Sequence, residues 1–257
     1  MNARKWVAAA TTAAGIALAA EAGAVPVGLE LMLLVDTSGS IDDTEYQLQK
    51  TGYVQAFQSA AVQNAILANP TGGIAVTYIE WSGSAEQSVR VGWTLVDSAA
   101  AANAFAAAIN ATTRAFSGLT AVQSAMNAVH PLFGTETGAA ANGFESPRQV
   151  IDVSGDGADN DSPALLLPSG GRDNALGVGV DAVNGIAILG EAGLAAYYQA
   201  NVVGGAGSFY AEAASFTDFA IAIERKLERE ITGVPEPATL GLLAAGRGGA
   251  GWRRRRG

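Results

Sequence analysis

Cysteine is absent from the 257-residue chain, and histidine occurs once, as His130. A chain without thiols cannot form a disulfide, a zinc–thiolate site or a cysteine nucleophile. The sequence also lacks a Gly-x-Ser-x-Gly segment for a hydrolase nucleophile and a phosphate-loop lysine for nucleotide hydrolysis. Because Pro131 directly follows His130, we interpret this histidine as a helix-end residue and not as a catalytic base.

Basic residues are scarce in the central part of the chain. The whole sequence has 15 Lys and Arg against 24 Asp and Glu, a formal net charge of −9. Seven of the basic residues and two of the acidic ones lie in the two end segments, so residues 25–233 keep 8 basic and 22 acidic residues and carry −14. Such a charge repels phosphate backbones, so we expect no nucleic-acid partner, and it is compatible with bound cations.

The first 24 residues predict a secretory signal peptide. Arg4 and Lys5 form a basic start, residues 6–20 are apolar and rich in alanine, and small residues suited to cleavage follow. The apolar stretch is short for a membrane span. The alternative is an N-terminal helix that stays in the cytoplasm.

The last 24 residues, 234–257, contain a second processing pattern. Val-Pro-Glu-Pro at 234–237 precedes an apolar run at 238–252 and four arginines at 253–256. This order resembles the PEP-CTERM sorting signal of Gram-negative bacteria. The resemblance implies transient insertion of the tail into the inner membrane, removal by an exosortase, and release to the cell surface or extracellular matrix, with the arginines on the cytoplasmic side.

One residue departs from that pattern. Arg247 interrupts the apolar run, and a mid-membrane arginine costs roughly 2.5–3.5 kcal/mol on insertion scales. The alternative interpretation of this segment is a disordered tail rich in glycine and arginine.

Strands alternate with helices between the two end segments. Predicted strands cover residues 29–35, 74–81, 88–93, 149–153, 185–189 and 208–212, and predicted helices cover 42–68, 99–110, 119–129, 173–182, 194–201 and 215–233. The last helix is predicted to start at Ser215, with Asp218 completing a capping box. The alternation predicts an α/β domain over 25–233, with an open, mostly parallel twisted sheet, helices on both faces and one antiparallel edge strand.

An acidic residue and two hydroxyl residues follow the first core strand at regular spacing, as Asp36, Ser38 and Ser40. Magnesium prefers six oxygen ligands and keeps some of its waters. One carboxylate with neutral hydroxyls leaves the ion partly uncompensated, so an acidic group on a partner could complete its shell. The same residue types are also common in turns and helix caps, which is the alternative for this segment in isolation.

Two further segments place oxygen ligands near strand ends. The segment from Ser117 to Thr120 offers a hydroxyl at a loop-to-helix junction, and Asp156 follows the strand predicted at 149–153. Because ligands of open parallel sheets bind beyond the carboxyl ends of the strands, we expect the three loops to meet at one edge of the sheet.

The sequence resembles the von Willebrand factor A domain and its metal-ion-dependent adhesion site. The segments that carry the resemblance are residues 35–42, 78–83, 149–157, 183–188 and 219–230, and the likeness covers about residues 28–232. It is most similar to a bacterial family of secreted proteins described only as a domain of unknown function. The resemblance implies a von Willebrand factor A (Rossmann-like) fold.

The resemblance also implies a ligand set. Ser38, Ser40 and Thr120 would bind the metal directly, and Asp36 and Asp156 would bind it directly or through water. A Glu or Asp of the partner would take the open position. The implied ion is Mg²⁺ or Mn²⁺, with Ca²⁺ as a third candidate.

These observations predict an exported, non-enzymatic module that grips a carboxylate on a protein or extracellular polymer through a bound metal. Two alternatives stay open: a hydrolase that uses the metal to activate water, and a structural component of matrix or biofilm whose site does not function.

Three other residues invite functional interpretations that we do not favour. Asp156, Asp159 and Asp161 suggest a calcium loop, but Leu167 stands where an EF-hand needs glutamate. Asp159 could support the metal ligands from behind or lie in a solvated turn, and we favour the turn. Trp81 and Trp93 lie on the predicted hairpin, and we expect them to pack the sheet edge instead of stacking on a ligand.

Overall fold

The computed structural model describes residues 23–233. Most of the predicted signal peptide (residues 1–22) and the whole predicted sorting tail (234–257) lie outside the described residues. Within the described range, no helix is both long enough and apolar enough to cross a membrane.

Seven strands of the described chain form the central sheet, in the order β4-β3-β2-β6-β7-β8, with β9 also paired to β7. The strands are β1 (Val25–Pro26), β2 (Glu30–Asp36), β3 (Ile74–Trp81), β4 (Gln87–Val96), β5 (Phe144–Glu145), β6 (Gln149–Gly155), β7 (Ala182–Ile188), β8 (Gly204–Gly205) and β9 (Tyr210–Ala213). Strands β3, β2, β6, β7 and β9 are parallel, and β4 is antiparallel at one edge. The two-residue β8 is also antiparallel, and β1 pairs with β5 in a separate small sheet. The predicted fold class is confirmed.

Helices cover both faces of this sheet. They are α1 (Asp43–Gln58), α2 (Ala60–Leu67), α3 (Ala99–Asn110), α4 (Val122–Val129), α5 (Gly170–Gly177), α6 (Leu194–Tyr197) and α7 (Phe219–Thr232). Alternate residues of β2 point to opposite faces. Leu31 and Leu33 belong to the core formed with buried residues of α1, α2, α3 and α7, whereas Met32 and Leu34 belong to the core formed with α4, α5 and α6. The apolar run of β2 is therefore buried on both faces, which explains why it does not alternate with polar residues.

Several predicted helix boundaries are wrong. The helix predicted over 42–68 is two helices, because Ser59 has extended backbone angles and its hydroxyl accepts a hydrogen bond from Val62 N, capping α2. The helix predicted from 119 begins at Val122, and the helix predicted over 173–182 begins at Gly170 and ends at Gly177. The capping box predicted for α7 is absent: the helix begins at Phe219, and the Ser215 hydroxyl donates to the Asp218 carboxylate.

The position of β2 determines where a ligand can bind. It lies between β3 and β6, which pair with it on opposite sides. The connection that follows β2 leads to β3 on one side, whereas the connection that follows β6 leads to β7 on the other. Open α/β sheets bind ligands in the crevice at such a point. The segments that follow β2 and β6 begin there.

Candidate metal centre

The loop after β2 is organised around the Asp36 carboxylate. Asp36 and Ser38 are both fully buried. The Ser38 backbone N–H donates to Asp36 Oδ1 at 2.7 Å, which folds the loop back over the strand end. The hydroxyls of Ser38 and Ser40 lie 3.2 Å apart, so the three residues expected to act together in this loop are in contact.

Asp156, on the loop after β6, joins this group. The Ser40 hydroxyl donates to Asp156 Oδ1 at 2.7 Å across 116 residues of sequence. Asp36, Ser38, Ser40 and Asp156 therefore form a continuous chain of hydrogen bonds at the carboxyl ends of β2 and β6.

Thr120 lies on the third loop and is buried. Its Oγ1 lies 3.5 Å from the point where a Cβ on Gly157 would stand, next to Asp156 in sequence. The same loop contacts the first one through Gly39 N, which donates to Gly118 O at 2.8 Å. The structure thus brings the three predicted loops together.

One oxygen of the group has no partner. Asp36 Oδ2 is buried and makes no hydrogen bond, and the Tyr198 hydroxyl, also buried, makes none. Both lie within 2.7 Å of the point where a Cβ on Gly155 would stand. A glycine is therefore needed at 155, and an orphaned carboxylate oxygen is left at the base of the site.

The electrostatics of the site favour a cation. Burial, and next the charge of Asp156, raise the pKa of the Asp36 carboxyl to about 7. Burial is also the main cause of the raised pKa of Asp156, to which the charges of Glu45 and Glu191 add. Two carboxylates with raised pKa values and neighbouring hydroxyls form an oxygen-only donor set, and such a set fits a hard divalent ion.

The predicted ligand set contains only two carboxylates. Accordingly, no group of three or more His, Cys, Asp or Glu side chains arranged to hold a metal occurs within residues 23–233. The three hydroxyl residues would have to supply the remaining ligands.

Arg114 is a residue of this site that the sequence analysis missed. Its Nη2 donates to the carbonyl oxygens of Thr37, Ser38 and Ile41 at 2.8–3.0 Å. Its Nη1 contacts Asp43 Oδ1 at 3.3 Å. These partners lie 71–77 residues away in sequence, and no local pattern signals such a contact.

Glu191 was also missed. Its Oε2 accepts a hydrogen bond from Ala158 N at 3.0 Å and lies 3.6 Å from the Cβ point of Gly157. The loop after β7 therefore brings a third carboxylate to the rim of the site.

Asp159 is a turn residue, as predicted, but it does more than face solvent. Its carboxylate accepts hydrogen bonds from the backbone N–H groups of Gln123, Asp161 and Ser162 and from the Ser162 hydroxyl. It therefore holds the first turn of α4, just after Thr120, against the β6 loop.

The single histidine lies away from this group. His130 caps the C-terminal end of α4, whereas Thr120 precedes its N-terminal end, and eight helical residues span about 12 Å. Trp81 is fully buried. The indole N–H of Trp93 donates to Leu132 O, and its ring lies 5.6 Å from that of Phe133. Trp93 packs at the edge strand β4, as predicted, whereas Trp81 lies on β3, which has a strand on either side and is therefore not at the sheet edge.

Known structures share this fold at low sequence identity. Proximal thread matrix protein 1 from the mussel byssus, in a structure with a zinc-occupied MIDAS motif, is 14% identical, with a TM-score of 0.55, over 81% of this chain and 49% of that one. A von Willebrand factor type A protein from Catenulispora acidiphila is 15% identical, with a TM-score of 0.54, over 80% and 43% of the two chains. The pilus adhesin SpaC from Lactobacillus rhamnosus GG is 14% identical, with a TM-score of 0.56, over 80% and 31%.

The chain spans about half the length of the mussel protein chain that it matches. These likenesses establish the fold, which is that of von Willebrand factor A domains. No curated protein sequence matches the chain. A family match covers residues 26–235, and the chain therefore belongs to the family described as "Protein of unknown function (DUF1194)".

Proposed function

We propose that this protein is a non-enzymatic binding module that holds a divalent cation at its metal centre and uses the cation to grip a carboxylate on a partner. The ligands would be Asp36, Ser38, Ser40, Thr120 and Asp156. The bound ion would supply an open coordination position, and the chain would supply its rigid oxygen ligands.

The observation that carries this proposal is the buried, unpartnered Oδ2 of Asp36. Leaving a buried polar atom without a partner costs about 1–3 kcal/mol, and more when the group is charged. A cation beside Asp36 would stabilise the ionised carboxylate and remove that penalty. The hydroxyls of Ser38 and Ser40 lie next to it in the chain of hydrogen bonds that ends at Asp156.

The proposed ion is Mg²⁺ or Mn²⁺, with Ca²⁺ as the third candidate. Mg²⁺ requires a compact octahedron and retains waters, and this suits a site with few carboxylates. The zinc reported at the MIDAS motif of the mussel protein supports divalent binding in this fold, and we therefore include Zn²⁺ among the ions to test.

The proposed partner is a protein or extracellular polymer that presents a carboxylate. Two carboxylates and three hydroxyls supply five oxygen ligands, so one position of an octahedral ion would stay open for a carboxylate of the partner. A hydrolytic role would need a general base near the ion, and His130 lies at the far end of α4. We further propose export through the signal peptide, and exosortase-dependent sorting in a Gram-negative bacterium through the PEP-CTERM-like tail.

The proposal is tested by calorimetric titration of the full chain with Mg²⁺, Mn²⁺, Ca²⁺ and Zn²⁺. We expect saturable binding of at least one ion to the wild type, and its loss in Asp36→Ala. Asp97→Ala is the matched control, because Asp97 is exposed and follows β4 at the opposite end of the sheet. Equal binding by wild type and Asp36→Ala would exclude this site.

Binding of a carboxylate by the metal-loaded protein is tested separately with immobilised poly-glutamate and poly-glutamine. We expect retention on poly-glutamate in the presence of the ion, and release by EDTA. Metal binding without any ion-dependent retention would leave the metal centre intact and reject carboxylate gripping.

A further inference from the structure

A groove that the metal centre does not use runs between β9 and α7. It holds a cavity of about 390 Å³ and continues into a second cavity of about 260 Å³. Phe209 and Arg229 line both cavities, and the guanidinium carbon of Arg229 lies 3.8 Å from the centroid of the Phe209 ring. The groove therefore has an aromatic wall with a cation stacked on it.

Unpaired positive charge is concentrated in this groove. Four basic side chains within residues 23–233 form no ion pair, namely Lys50, Arg148, Arg225 and Arg229. The last three line the two cavities. Because the domain carries −14 overall, three unpaired arginines in one groove make it electrostatically complementary to an anion.

The two acidic residues that line the groove, Glu212 and Asp218, form no ion pair with these arginines. The Glu212 carboxylate accepts a hydrogen bond from the Tyr210 hydroxyl, and the Asp218 carboxylate accepts one from the Ser215 hydroxyl. Arg225 is exposed, and its side chain forms no hydrogen bond within the described residues.

Strand β9 also offers a free edge. Its one partner in the described sheet is β7. The carbonyl oxygens of Phe209 and Ala213 accept hydrogen bonds from the backbone N–H groups of Gly185, in β7, and of Leu189, which directly follows β7. Because residues of a strand alternate in direction, Tyr210 and Glu212 direct their N–H and C=O groups away from β7. Such groups are a template for an added strand.

The spacing of the arginines matches a strand. Arg225 and Arg229 are four residues apart on α7, which places them about 6 Å apart along the helix. Alternate residues of an extended chain are about 6.7 Å apart. Carboxylates on alternate residues of a strand beside β9 could therefore face one arginine each.

We propose that this groove is a second binding site, which takes an extended acidic peptide as an additional strand on β9. Backbone groups of the peptide pair with Tyr210 and Glu212. Two of its carboxylates, two residues apart, bind Arg225 and Arg229, and an apolar side chain packs on Phe209.

The test uses the full chain and a fluorescent acetyl-Thr-Glu-Val-Glu-Thr-amide peptide in EDTA, so that a metal centre cannot contribute. We expect saturable binding by anisotropy, weakened at least about tenfold in Arg225→Gln/Arg229→Gln and for the peptide with glutamine in place of glutamate. Arg172→Gln, which changes an ion-paired arginine elsewhere, should bind like the wild type.

Two further probes decide how the peptide is held. The charge-reversed variant Arg225→Glu/Arg229→Glu should bind the corresponding lysine peptide in preference to the glutamate peptide, which also shows that the variant is folded. Two peptides are N-methylated on opposite sets of alternate amides. If the peptide pairs with β9, the one methylated on the amides that face β9 should lose binding. Absence of binding by the glutamate peptide, equal binding by the glutamine peptide, or equal binding by the N-methylated peptides would each overturn the proposal.

Discussion

Asp36 combines full burial with an unsatisfied oxygen, which is costly for a carboxylate. Its Oδ1 accepts the Ser38 N–H, whereas Oδ2 has no hydrogen bond. Burial and the neighbouring charge of Asp156 raise its pKa to about 7. In the folded protein without metal, this side chain therefore holds a proton that the unfolded chain releases near pH 4.

We predict that Asp36→Asn makes the metal-free protein less sensitive to pH. A raised carboxyl pKa means that stability is lost as pH rises from about 4 to about 7, because ionisation then favours the unfolded chain. From pH 5 to pH 8, the free energy of unfolding of the variant should rise relative to that of the wild type by on the order of 3 kcal/mol. Urea unfolding in EDTA at the two pH values measures this difference, and the same pH slope in both proteins would contradict it.

Arg114 holds the loop after β2 in place by binding the carbonyl groups of that loop. One nitrogen of its side chain binds three carbonyl oxygens of the segment from Thr37 to Ile41. The side chain is mostly buried, with an exposed fraction of 16%. Its role is therefore positional: it fixes the loop backbone and does not touch the proposed ion.

We predict that Arg114→Gln lowers the free energy of unfolding by about 2–4 kcal/mol, because buried carbonyl groups lose a charged donor. It should also weaken the proposed Mn²⁺ binding by about tenfold, equivalent to about 1.4 kcal/mol. Arg172→Gln is the control, since Arg172 binds the carbonyl oxygens of Ala200 and Val203. The control should lose stability and keep its metal affinity; calorimetry with unfolding curves separates the two effects.

Among the elements, α7 is fastened to the sheet by buried charges as well as by its apolar stripe. Lys226 Nζ lies 2.6 Å from Asp152 Oδ1 of β6 and 2.5 Å from Glu230 Oε1. Asn184 of β7 donates to the same Glu230 oxygen. Burial and the charge of Asp152 raise the pKa of Glu230 to about 8, although Lys226 opposes this shift.

We predict that Lys226→Met lowers the free energy of unfolding by about 3–5 kcal/mol, because two buried carboxyl groups lose their cation. The double variant Asp152→Asn/Lys226→Met should recover at least half of that loss. Lys50→Met serves as control, because Lys50 is buried but forms no ion pair; its ammonium donates to carbonyl oxygens and lies over the Tyr46 ring. A double variant no more stable than Lys226→Met would show that apolar packing, and not charge, holds α7.

Across the whole molecule, buried acidic side chains make the metal-free protein more stable at mildly acidic pH than at pH 8. Burial is the largest cause of the raised pKa of Glu30 (about 7), Asp36 (about 7) and Glu230 (about 8). All three therefore contribute stability that is lost as pH rises towards 8. His130, whose pKa is lowered by burial, acts in the opposite direction as the pH falls below about 6.5.

We predict that the melting temperature in EDTA is higher near pH 6 than at pH 8. Saturating Mg²⁺ at pH 8 should recover part of the difference, since a ligand at 100 times its Kd stabilises the native state by about 2.7 kcal/mol. Differential scanning calorimetry at both pH values measures the effect. A melting temperature in EDTA that is equal or higher at pH 8 would contradict the assignment of the pH dependence to these three acids.

The fold class could be predicted because its signals are local. The continuous apolar run of β2 requires burial on both faces, and the alternation of strands with helices requires crossovers in a parallel sheet. The helix break at Ser59 and the start of α4 at Val122 could not be predicted in the same way. They depend on single hydrogen bonds and on contacts with distant loops.

From the sequence alone, hydroxyl and carboxyl residues could be located after core strands and at a loop-to-helix junction. The resemblance to the von Willebrand factor A domain then implied that Asp36, Ser38, Ser40, Thr120 and Asp156 form one site. Only the folded chain shows that Ser40 reaches Asp156, that Asp36 Oδ2 has no partner, and that Arg114 holds the loop. The fold also places unpaired arginines of α7 beside a free strand edge. The physical reason is that the type of each side chain can be read from its own position in the sequence. Its burial, its pKa and its hydrogen-bond partners depend on residues far away in the chain.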